Sequence, residues 1–286
     1  MDSQGWRMAY QMLVEESRAL WGRRRGKYRY SDALIGGLFL WAVWPDRPVG
    51  WACDRSHYYG PFRPRRVPSE SQFSRRVRSD RTRELLTRVF CRLAEPDRPT
   101  SVCCLDGKPL VVGSCSKDRD ARAGRIYGGF ARGYKLHTIT TEDRRILCWS
   151  VMPLNVDERK VAEVLVDTVQ PKGLLLADGN YDSSPLYDQV SSGGGHLLTP
   201  VPPHAESGHP RQSPARLAVI AAWKGLAGYV YEDRITVEQT FDHVTSFGGG
   251  LGPLPSWVRT LPRVRRWVGA KLILYHARLR LRRTAA

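Results

Sequence analysis

Two short apolar segments of this 286-residue chain each end in aspartate followed by glycine, and this repeated pattern constrains the fold most strongly. The segment VCCL precedes Asp106 and Gly107, and the segment GLLLA precedes Asp178 and Gly179. A wholly apolar run as short as GLLLA is typical of a strand buried inside a parallel sheet. A polar residue directly after such a strand lies at the sheet edge where α/β proteins bind ligands. The pattern therefore predicts that both aspartates end their strands at one edge of an α/β sheet.

The order of the predicted elements along the chain favours one layout of that sheet. Residues 1–98 have helical patterns and are predicted to form an all-helical N-terminal, DNA-binding domain that ends near the prolines of AEPDRPT. Three hairpin-linked strands, a helix, a strand, a helix and a strand then precede further helices, of which the last is basic and amphipathic. This order matches the ribonuclease H-like layout, a mixed sheet flanked by helices. We therefore predict a catalytic α/β domain of this class over residues 99–286.

A third acidic residue occurs much later in the chain, in the segment YEDRITVE. Tyr231, Arg234 and Glu238 stand at offsets of three and seven, which bring side chains onto one face of an α-helix. A tyrosine, an arginine and a carboxylate in one row do not form a core face, so this face needs a polar partner. Because carboxylates from separate elements converge in the ribonuclease H-like layout, we expect Glu238 to join Asp106 and Asp178.

Three carboxylates in one pocket suit the chemistry of phosphodiester bonds. Magnesium prefers hard oxygen ligands and takes few of them from protein. Two such ions can clamp the attacking and leaving oxygens of a phosphodiester displacement. The sequence therefore predicts a catalytic site in which Asp106, Asp178 and Glu238 hold two Mg²⁺ ions, with Mn²⁺ as a substitute. For any one of the three, a solvated acid at a strand end remains the alternative.

The charge of the chain indicates the kind of partner. Lys and Arg number 45 against 28 Asp and Glu, which gives a net charge of +17. Such a field favours a polyanion, with a membrane surface as the second candidate. The longest apolar run, residues 33–44, is too short to span a bilayer and predicts a buried helix. The start of the chain lacks a signal-peptide pattern and no Cys-x-x-Cys pair occurs, so we expect a cytoplasmic protein with free thiols that binds nucleic acid.

The sequence resembles the bacterial insertion-sequence DDE transposases. It is similar to the group whose signature is Tyr-x-x-Arg-x-x-x-Glu followed seven residues later by Lys. Tyr231, Arg234 and Glu238 fill the first three places, but Thr245 stands where the group has lysine. The segments LDGKPL and LLLADGNYDS resemble the family's first and second aspartate segments. The resemblance covers residues 100–245 well and the N-terminal helices loosely.

The resemblance implies an enzyme that uses divalent metal ions to cut DNA at transposon ends. The 3′ hydroxyl freed by the cut then attacks target DNA, which joins the transposon strand to it. Its partners would be double-stranded DNA, as transposon ends and as target, bound by a homodimer that associates with the nucleoid, without a small-molecule cofactor or a membrane. Tyr231 and Arg234 would contact phosphates beside the cleavage site, and Thr245 would contact the transposon end without adding charge. Two alternatives stay open: a nuclease of the same fold without strand transfer, and a catalytically silent, domesticated DNA-binding regulator.

Short basic motifs predict further DNA contacts, each with a structural alternative. Lys135 and His137 alternate on one face of the predicted strand YKLHT and could face DNA, or could form a satisfied surface pair. Lys117 lies in a basic loop that could bind phosphate or could simply be solvated. The segment PSESQFSRRVRS could be the second helix of a helix-turn-helix, after a poorly defined first helix VGWACDRSHYY, or a helix that only packs. The residues that would face the groove are Gln72, Arg75 and Arg76.

Overall fold

The computed structural model describes residues 3–22, 29–60, 62–200, 213–247 and 249–284. The chain divides into two compact units. The helical unit comprises Met1–Ala94, Val244–Val258 and Pro262–Ala286, and the sheet unit comprises Glu95–His243 and Arg259–Leu261. The first boundary between the units falls after Ala94, and the segment Pro262–Ala286 belongs to the helical unit.

The N-terminal region is helical, as the sequence predicts. Its helices are α1 (Ser3–Trp21), α2 (Asp32–Val43), α3 (Glu70–Val77) and α4 (Asp80–Ala94). The segment VGWACDRSHYY, the candidate first helix of a helix-turn-helix, instead forms two short 3-10 helices, Val49–Cys53 and Arg55–His57. The segment predicted as the first helix of a helix-turn-helix is therefore not an α-helix.

The longest apolar run forms the buried helix α2, which confirms the prediction. Ser31 caps it, because its hydroxyl accepts a hydrogen bond from the backbone N–H of Leu34 at 3.1 Å. Every residue of α2 except Leu34 is buried. Gly37 lets the helix pack closely on α1, since a Cβ there would stand 2.5 Å from the Tyr10 ring. No helix in the described part of the chain is long and apolar enough to cross a membrane.

The C-terminal helix α10 (Leu261–Thr284) is more deeply buried than its sequence predicts. A basic amphipathic helix would keep its charges in water, but Lys271 is fully buried. The Lys271 ammonium donates to the backbone oxygens of Trp44 at 3.2 Å and Gly249 at 2.8 Å. It also lies 2.9 Å from the Asp46 carboxylate. These partners compensate the desolvation of the charge, and burial lowers the pKa of Lys271.

The sheet unit contains a six-stranded mixed sheet. Its strands are β1 (Val102–Val111), β2 (Arg122–Ile126), β3 (Gly129–Thr141), β4 (Ile146–Pro153), β5 (Leu174–Ala177) and β6 (His196–Leu198). The order is β2-β3-β1-β5-β6, with β4 also paired to β3. Strand β3 is antiparallel to both of its neighbours β1 and β4, whereas β5 and β6 continue parallel to β1. Apart from β2, this is the predicted ribonuclease H-like sheet.

Two details of the sheet correct the predictions. Strand β1 does not end at Asp106 but continues to Val111, because residues 103–111 all pair with β3. The second correction concerns the loop that holds Lys117: its C-terminal part is strand β2, which pairs with the start of β3. The short apolar strand β5 lies between β1 and β6, as the sequence predicts.

Helices cover the sheet and close its core. The helices of the sheet unit are α5 (Glu158–Val169), α6 (Ser184–Ser192), α7 (Pro214–Ala222), α8 (Gly228–Tyr231) and α9 (Ile235–Ser246), whose last three residues belong to the helical unit. Asp157 caps α5, since its carboxylate accepts from the Arg159 backbone N–H at 3.0 Å. A buried ion pair of Arg216 with Asp182, at 2.7 Å, holds α7 to the chain that follows β5. A bulge kinked at Gly225 then joins α7 to α8.

A buried ionic cluster in the helical unit joins three helices. Asp32 begins α2, and its carboxylate lies 2.6 Å from Arg76 of α3 and 3.0 Å from Arg81 of α4. The side chains of Asp32 and Arg76 are only 6% and 9% exposed, so each needs the other to compensate its lost hydration.

We expect Asp32→Ala to lower the free energy of unfolding by about 3–5 kcal/mol, because the change removes the carboxylate that compensates the buried charge of Arg76. Urea unfolding followed by circular dichroism measures the loss. The matched control is Glu84→Ala, which also removes one acidic side chain but at an exposed position of α4. Equal stability of the two variants would contradict a structural role for the buried pair.

Candidate active site

The register of the parallel strands brings Asp106 and Asp178 side by side. The pairing of β1 with β5 ends at Leu105 opposite Ala177, and the two aspartates follow directly. Neighbouring strands lie about 4.8 Å apart, so the two carboxylates occupy adjacent positions at the end of the paired segment. Asp106 Oδ1 accepts from the Gly107 N–H at 2.7 Å, and Asp178 Oδ1 accepts from the Asn180 N–H at 2.9 Å. Backbone donors thus orient both side chains.

Arg234 connects this pair to the third predicted carboxylate. Its Nη2 atom lies 3.2 Å from Asp106 Oδ2, and its Nη1 atom lies 3.4 Å from Glu238 Oε1. Glu238 occupies the first turn of α9, and its side chain is 62% exposed. A single guanidinium therefore bridges the aspartate of the central strand and the glutamate of a late helix.

The segment from Tyr231 to Glu238 is a series of short helical pieces rather than the single α-helix that the sequence predicts. Tyr231 ends α8, Arg234 ends the 3-10 helix Glu232–Arg234, and Glu238 belongs to α9. The backbone stays in the right-handed helical region at Tyr231 and Glu232, so the predicted polar face is largely preserved. The half-buried Tyr231 ring packs against Trp223 at a centroid distance of 5.3 Å.

Burial and neighbouring charges set the electrostatics of the pair. Burial raises the pKa of Asp106 to about 6, although the Gly107 N–H and the Arg234 guanidinium act in the opposite direction. The charges of Asp178 and Glu158 raise it further. Burial alone would lower the pKa of Arg234, but the surrounding carboxylates raise it. Among the described side chains, the positive charge of Arg234 thus compensates a cluster of negative charges.

Glu158 is a fourth carboxylate near Asp106, and it was not among the site residues predicted from the sequence. It is the first residue of α5 and forms an ion pair with Lys135 of β3. The buried ring of Tyr181 lies close enough that the charges of Glu158, Asp106 and Asp178 all raise its pKa, in addition to burial. The acidic start of the helix NVDERK was a visible signal, but only the packing of α5 against β3 shows that Glu158 lies beside Lys135.

His137 and Lys135 do not both face solvent. His137 is 1% exposed, and its Nδ1 atom has no hydrogen-bond partner among the described residues. It pairs across the sheet with Gly107, where a Cβ would stand 2.7 Å from Lys135 Cδ and 3.3 Å from His137 Nδ1. Gly107 thus leaves room for both side chains behind Asp106. A direct contact of His137 with DNA would require this packing to open.

The remaining predicted DNA contacts have different environments. Arg76 is buried against Asp32, so it is not available at the surface in this structure. Arg75 is exposed and Gln72 is partly exposed on α3. Lys117 and Thr245 are both exposed, on the loop before β2 and in the last turn of α9. Of these five residues, all except Arg76 are therefore accessible to a partner.

The site residues fit divalent metal ions in their chemistry and in part of their placement. Asp106 and Asp178 present hard carboxylate oxygens next to each other, as magnesium requires. Within the described parts of the chain, no three His, Cys, Asp or Glu side chains come close enough to hold a metal ion together. Arg234 stands between Asp106 and Glu238, so a ligand set of all three would require this arginine to withdraw.

The sheet order and the acidic pair at its centre define a protein of the ribonuclease H-like class. The chain belongs to the transposase DDE domain family, whose model matches residues 97–275. Among the curated proteins, none matches the chain significantly. One solved structure, a cryo-EM structure of a piggyBac transposase synaptic complex with hairpin DNA, has a TM-score of 0.48 and 9% sequence identity. That match covers 96% of this chain and 73% of the piggyBac chain.

We expect His137 to make the protein less stable in weak acid, because burial lowers the pKa of His137 to about 4. Between its ordinary value of about 6.5 and this value, the unfolded chain binds a proton that the folded chain excludes. The contribution of His137 to the free energy of unfolding is therefore fully present above about pH 6.5. It decreases as the pH falls toward 4. Between pH 7 and pH 5 the loss is about 2 kcal/mol.

The measurement is the free energy of unfolding at pH 7 and pH 5 for the wild-type protein and for His137→Gln. The variant should lose about 2 kcal/mol less than the wild type over this interval, since glutamine does not titrate. The exposed His196→Gln variant serves as the control and should follow the wild type. Identical pH dependence of wild type and His137→Gln would contradict the buried, neutral state of His137.

Proposed function

We propose that this chain is a DNA transposase that cleaves phosphodiester bonds at the ends of a transposable element and joins those ends to target DNA. Asp106, Asp178 and Glu238 are its catalytic residues. The observation that carries the proposal is the acidic pair at the end of the β1–β5 pairing, with an arginine between it and a third carboxylate. Membership of the transposase DDE domain family supports the same reading.

Asp106 and Asp178 would hold divalent metal ions, Mg²⁺ or Mn²⁺, and Glu238 would complete the set. Such ions, when bound, activate an oxygen nucleophile and neutralise charge on the phosphate. Gly179 carries no side chain beside Asp178, and a Cβ there would meet only the Pro200 backbone oxygen at 3.7 Å, so a bulky DNA backbone can approach on this side. The hydrogen bonds from the Gly107 and Asn180 N–H groups hold the two carboxylates in position.

Arg234 would have two roles in this mechanism. In the metal-free protein it balances the charge of Asp106 and Glu238. In the loaded site the Arg234 guanidinium would instead hydrogen-bond a phosphate beside the cleavage site, for which its planar fork is suited. Tyr231 lies on the same helical face and would contact the neighbouring phosphate. Thr245 would contact the transposon end further along, without adding charge.

The partner would be double-stranded DNA, as transposon ends and as target, bound by a homodimer associated with the bacterial nucleoid. The net charge of +17 supports a polyanion as partner. The helical domain over residues 1–98 would contribute DNA contacts through Arg75 and Gln72, and the catalytic domain over residues 99–286 through Lys117 and Lys135.

We expect Asp106→Asn to abolish Mg²⁺-dependent cleavage and to leave DNA binding within about twofold, because binding depends on basic side chains elsewhere. The substrate is a supercoiled plasmid that carries this reading frame with its flanking DNA, and gel electrophoresis separates cut from joined products. The exposed Asp167→Asn on α5 is the matched control and should cleave normally.

Cleavage without joining by the wild type would favour a nuclease, and binding without cleavage a silent regulator. Cleavage by Asp106→Asn would contradict the assignment of the site.

We expect Arg234→Gln to bind Mn²⁺ several-fold more tightly than the wild type, because the competing cation between Asp106 and Glu238 is removed. Electron paramagnetic resonance of free Mn²⁺ measures this binding without DNA or turnover. The same variant should cleave DNA more slowly, since its phosphate contact is lost. Lys160→Gln removes an exposed positive charge on α5 and should change neither quantity. Unchanged or weaker Mn²⁺ binding by Arg234→Gln would contradict the proposal that Arg234 and a metal ion compete for Asp106 and Glu238.

A further inference from the structure

Strands β2 and β3 form a ribbon whose tip exposes two aromatic side chains. Residues Arg125–Phe130 form this segment, here called the ribbon tip. Tyr127 is 104% exposed and Phe130 is 81% exposed, so nearly the whole surface of both rings is in water. Single exposed apolar residues are common, but two exposed aromatic rings three residues apart at the end of a ribbon indicate a surface that meets a partner.

The ribbon is held rigidly at its base. A two-residue turn, Tyr127 and Gly128, joins Ile126 to Gly129, and Gly128 adopts a φ of 82° that favours glycine. The underside has no room for side chains, since a Cβ at Gly124 would collide with the Leu154 backbone oxygen. A rigid ribbon presents its tip at little entropic loss when a partner binds.

Arg132 fastens the preceding loop to the base of the ribbon. Its guanidinium donates to the backbone oxygens of Ala121 at 3.1 Å and Ser116 at 3.0 Å, and also to that of Asp118. The loop and the ribbon therefore form one surface.

The charge exposed on this surface is positive. Lys117, Arg119, Arg122 and Arg125 are all exposed. The two acidic residues of the loop are turned inward: Asp118 accepts from the Tyr134 hydroxyl at 2.8 Å, and Asp120 accepts from the Leu261 N–H at 2.9 Å. A polyanion that approaches the ribbon thus meets exposed cations, whereas the two carboxylates of the loop accept hydrogen bonds from within the protein.

Arg125 and Phe130 lie on the same face of the ribbon. They are directly opposite each other in the antiparallel register, which places their Cβ atoms about 5 Å apart. Within the described residues the Arg125 side chain makes no hydrogen bond or ion pair. One face thus offers a guanidinium for a phosphate next to an aromatic ring for a base.

We propose that the ribbon tip is a DNA-contacting element that seats Tyr127 and Phe130 against the bases of duplex DNA, with Arg125 on an adjacent phosphate. The proposal rests on the proposed function in one respect, namely that DNA is the substrate. Aromatic rings gain stacking energy on any base, and apolar wedges from strands can enter a groove between base steps.

The tip lies well away from the carboxylates, so it positions DNA rather than taking part in chemistry. Phe130 and Thr138, the partner of Asp106, are eight residues apart along β3. At about 3.4 Å per residue this is roughly 27 Å. The same length of duplex contains about eight base pairs. The contact would therefore fall on DNA beside the cleavage site, where it fixes the register of the bound end.

A second copy of the chain is the other partner to consider, and charge disfavours it. Two copies would bring their exposed arginines, Arg122 and Arg125, close together, and each chain carries +17. Like charges in contact oppose association, whereas DNA phosphates attract the same residues.

The test compares the double variant Tyr127→Ala/Phe130→Ala with the wild-type protein on a fluorescein-labelled duplex of 30 mixed-sequence base pairs. Fluorescence anisotropy should show affinity at least about tenfold weaker for the double variant, from the loss of two stacking rings. Arg125→Gln should lower the slope of log affinity against log salt concentration by about one. Val164→Ala, at a 63% exposed apolar position on α5, should bind like the wild type.

Cross-linking and sedimentation complete the test. A duplex with 5-iodouracil should cross-link to the tryptic peptide Ile126–Arg132, which contains both rings. Wild-type affinity in the folded double variant, or cross-links only in other peptides, would overturn the ribbon contact and leave the proposed function intact. Absence of DNA binding by the wild type would overturn both. A dimer without DNA that becomes monomeric in the double variant would assign the tip to a second copy and overturn the DNA contact.

Discussion

The parallel pairing of β1 with β5 is the interaction on which both the sheet and the site depend. The two strands pair from Val102 opposite Leu174 to Leu105 opposite Ala177, and this segment passes through the core of the sheet unit. Gly173 permits the close start of the pairing, because a Cβ there would collide with the Ser101 backbone oxygen. Where the apolar layer ends, the next residue on each strand is an aspartate. The hydrophobic core thus determines where the two carboxylates lie.

The position of the two carboxylates is electrostatically unfavourable, and nearby cationic side chains compensate their charge. Two carboxylates beside an apolar core lose hydration and repel each other, and the raised pKa of Asp106, about 6, reflects both effects. Two cationic side chains compensate the surrounding negative charge: Arg234 pairs with Asp106 and Glu238, and Lys135 pairs with Glu158. In this structure the Arg234 guanidinium therefore compensates the charge of Asp106 and Glu238 without any bound cation.

Much of the fold follows from patterns that extend over only a few residues. The buried helix at 33–44 and the short strand GLLLA could be predicted because burial on all sides gives continuous apolar runs. The continuation of β1 past Asp106 could not, since only pairing with β3 keeps that segment extended. The burial of Lys271 was equally hidden: its partners at Trp44 and Gly249 are distant in sequence, and a lysine in a helix ordinarily indicates a solvated face.

The same distinction separates the predictable part of the site from the rest. Asp106 and Asp178 stand out because each follows an apolar strand, which is a property of its own neighbours. Arg76 and Glu158 depend on partners 44 and 23 residues away, so the sequence does not reveal that one is buried and the other lies near the acidic pair. A charged residue whose environment comes from another element can be placed only when the register of that element is known. Sequence motifs therefore single out the residues that we propose to bear the chemistry, whereas the residues that balance their charge emerge only from the fold.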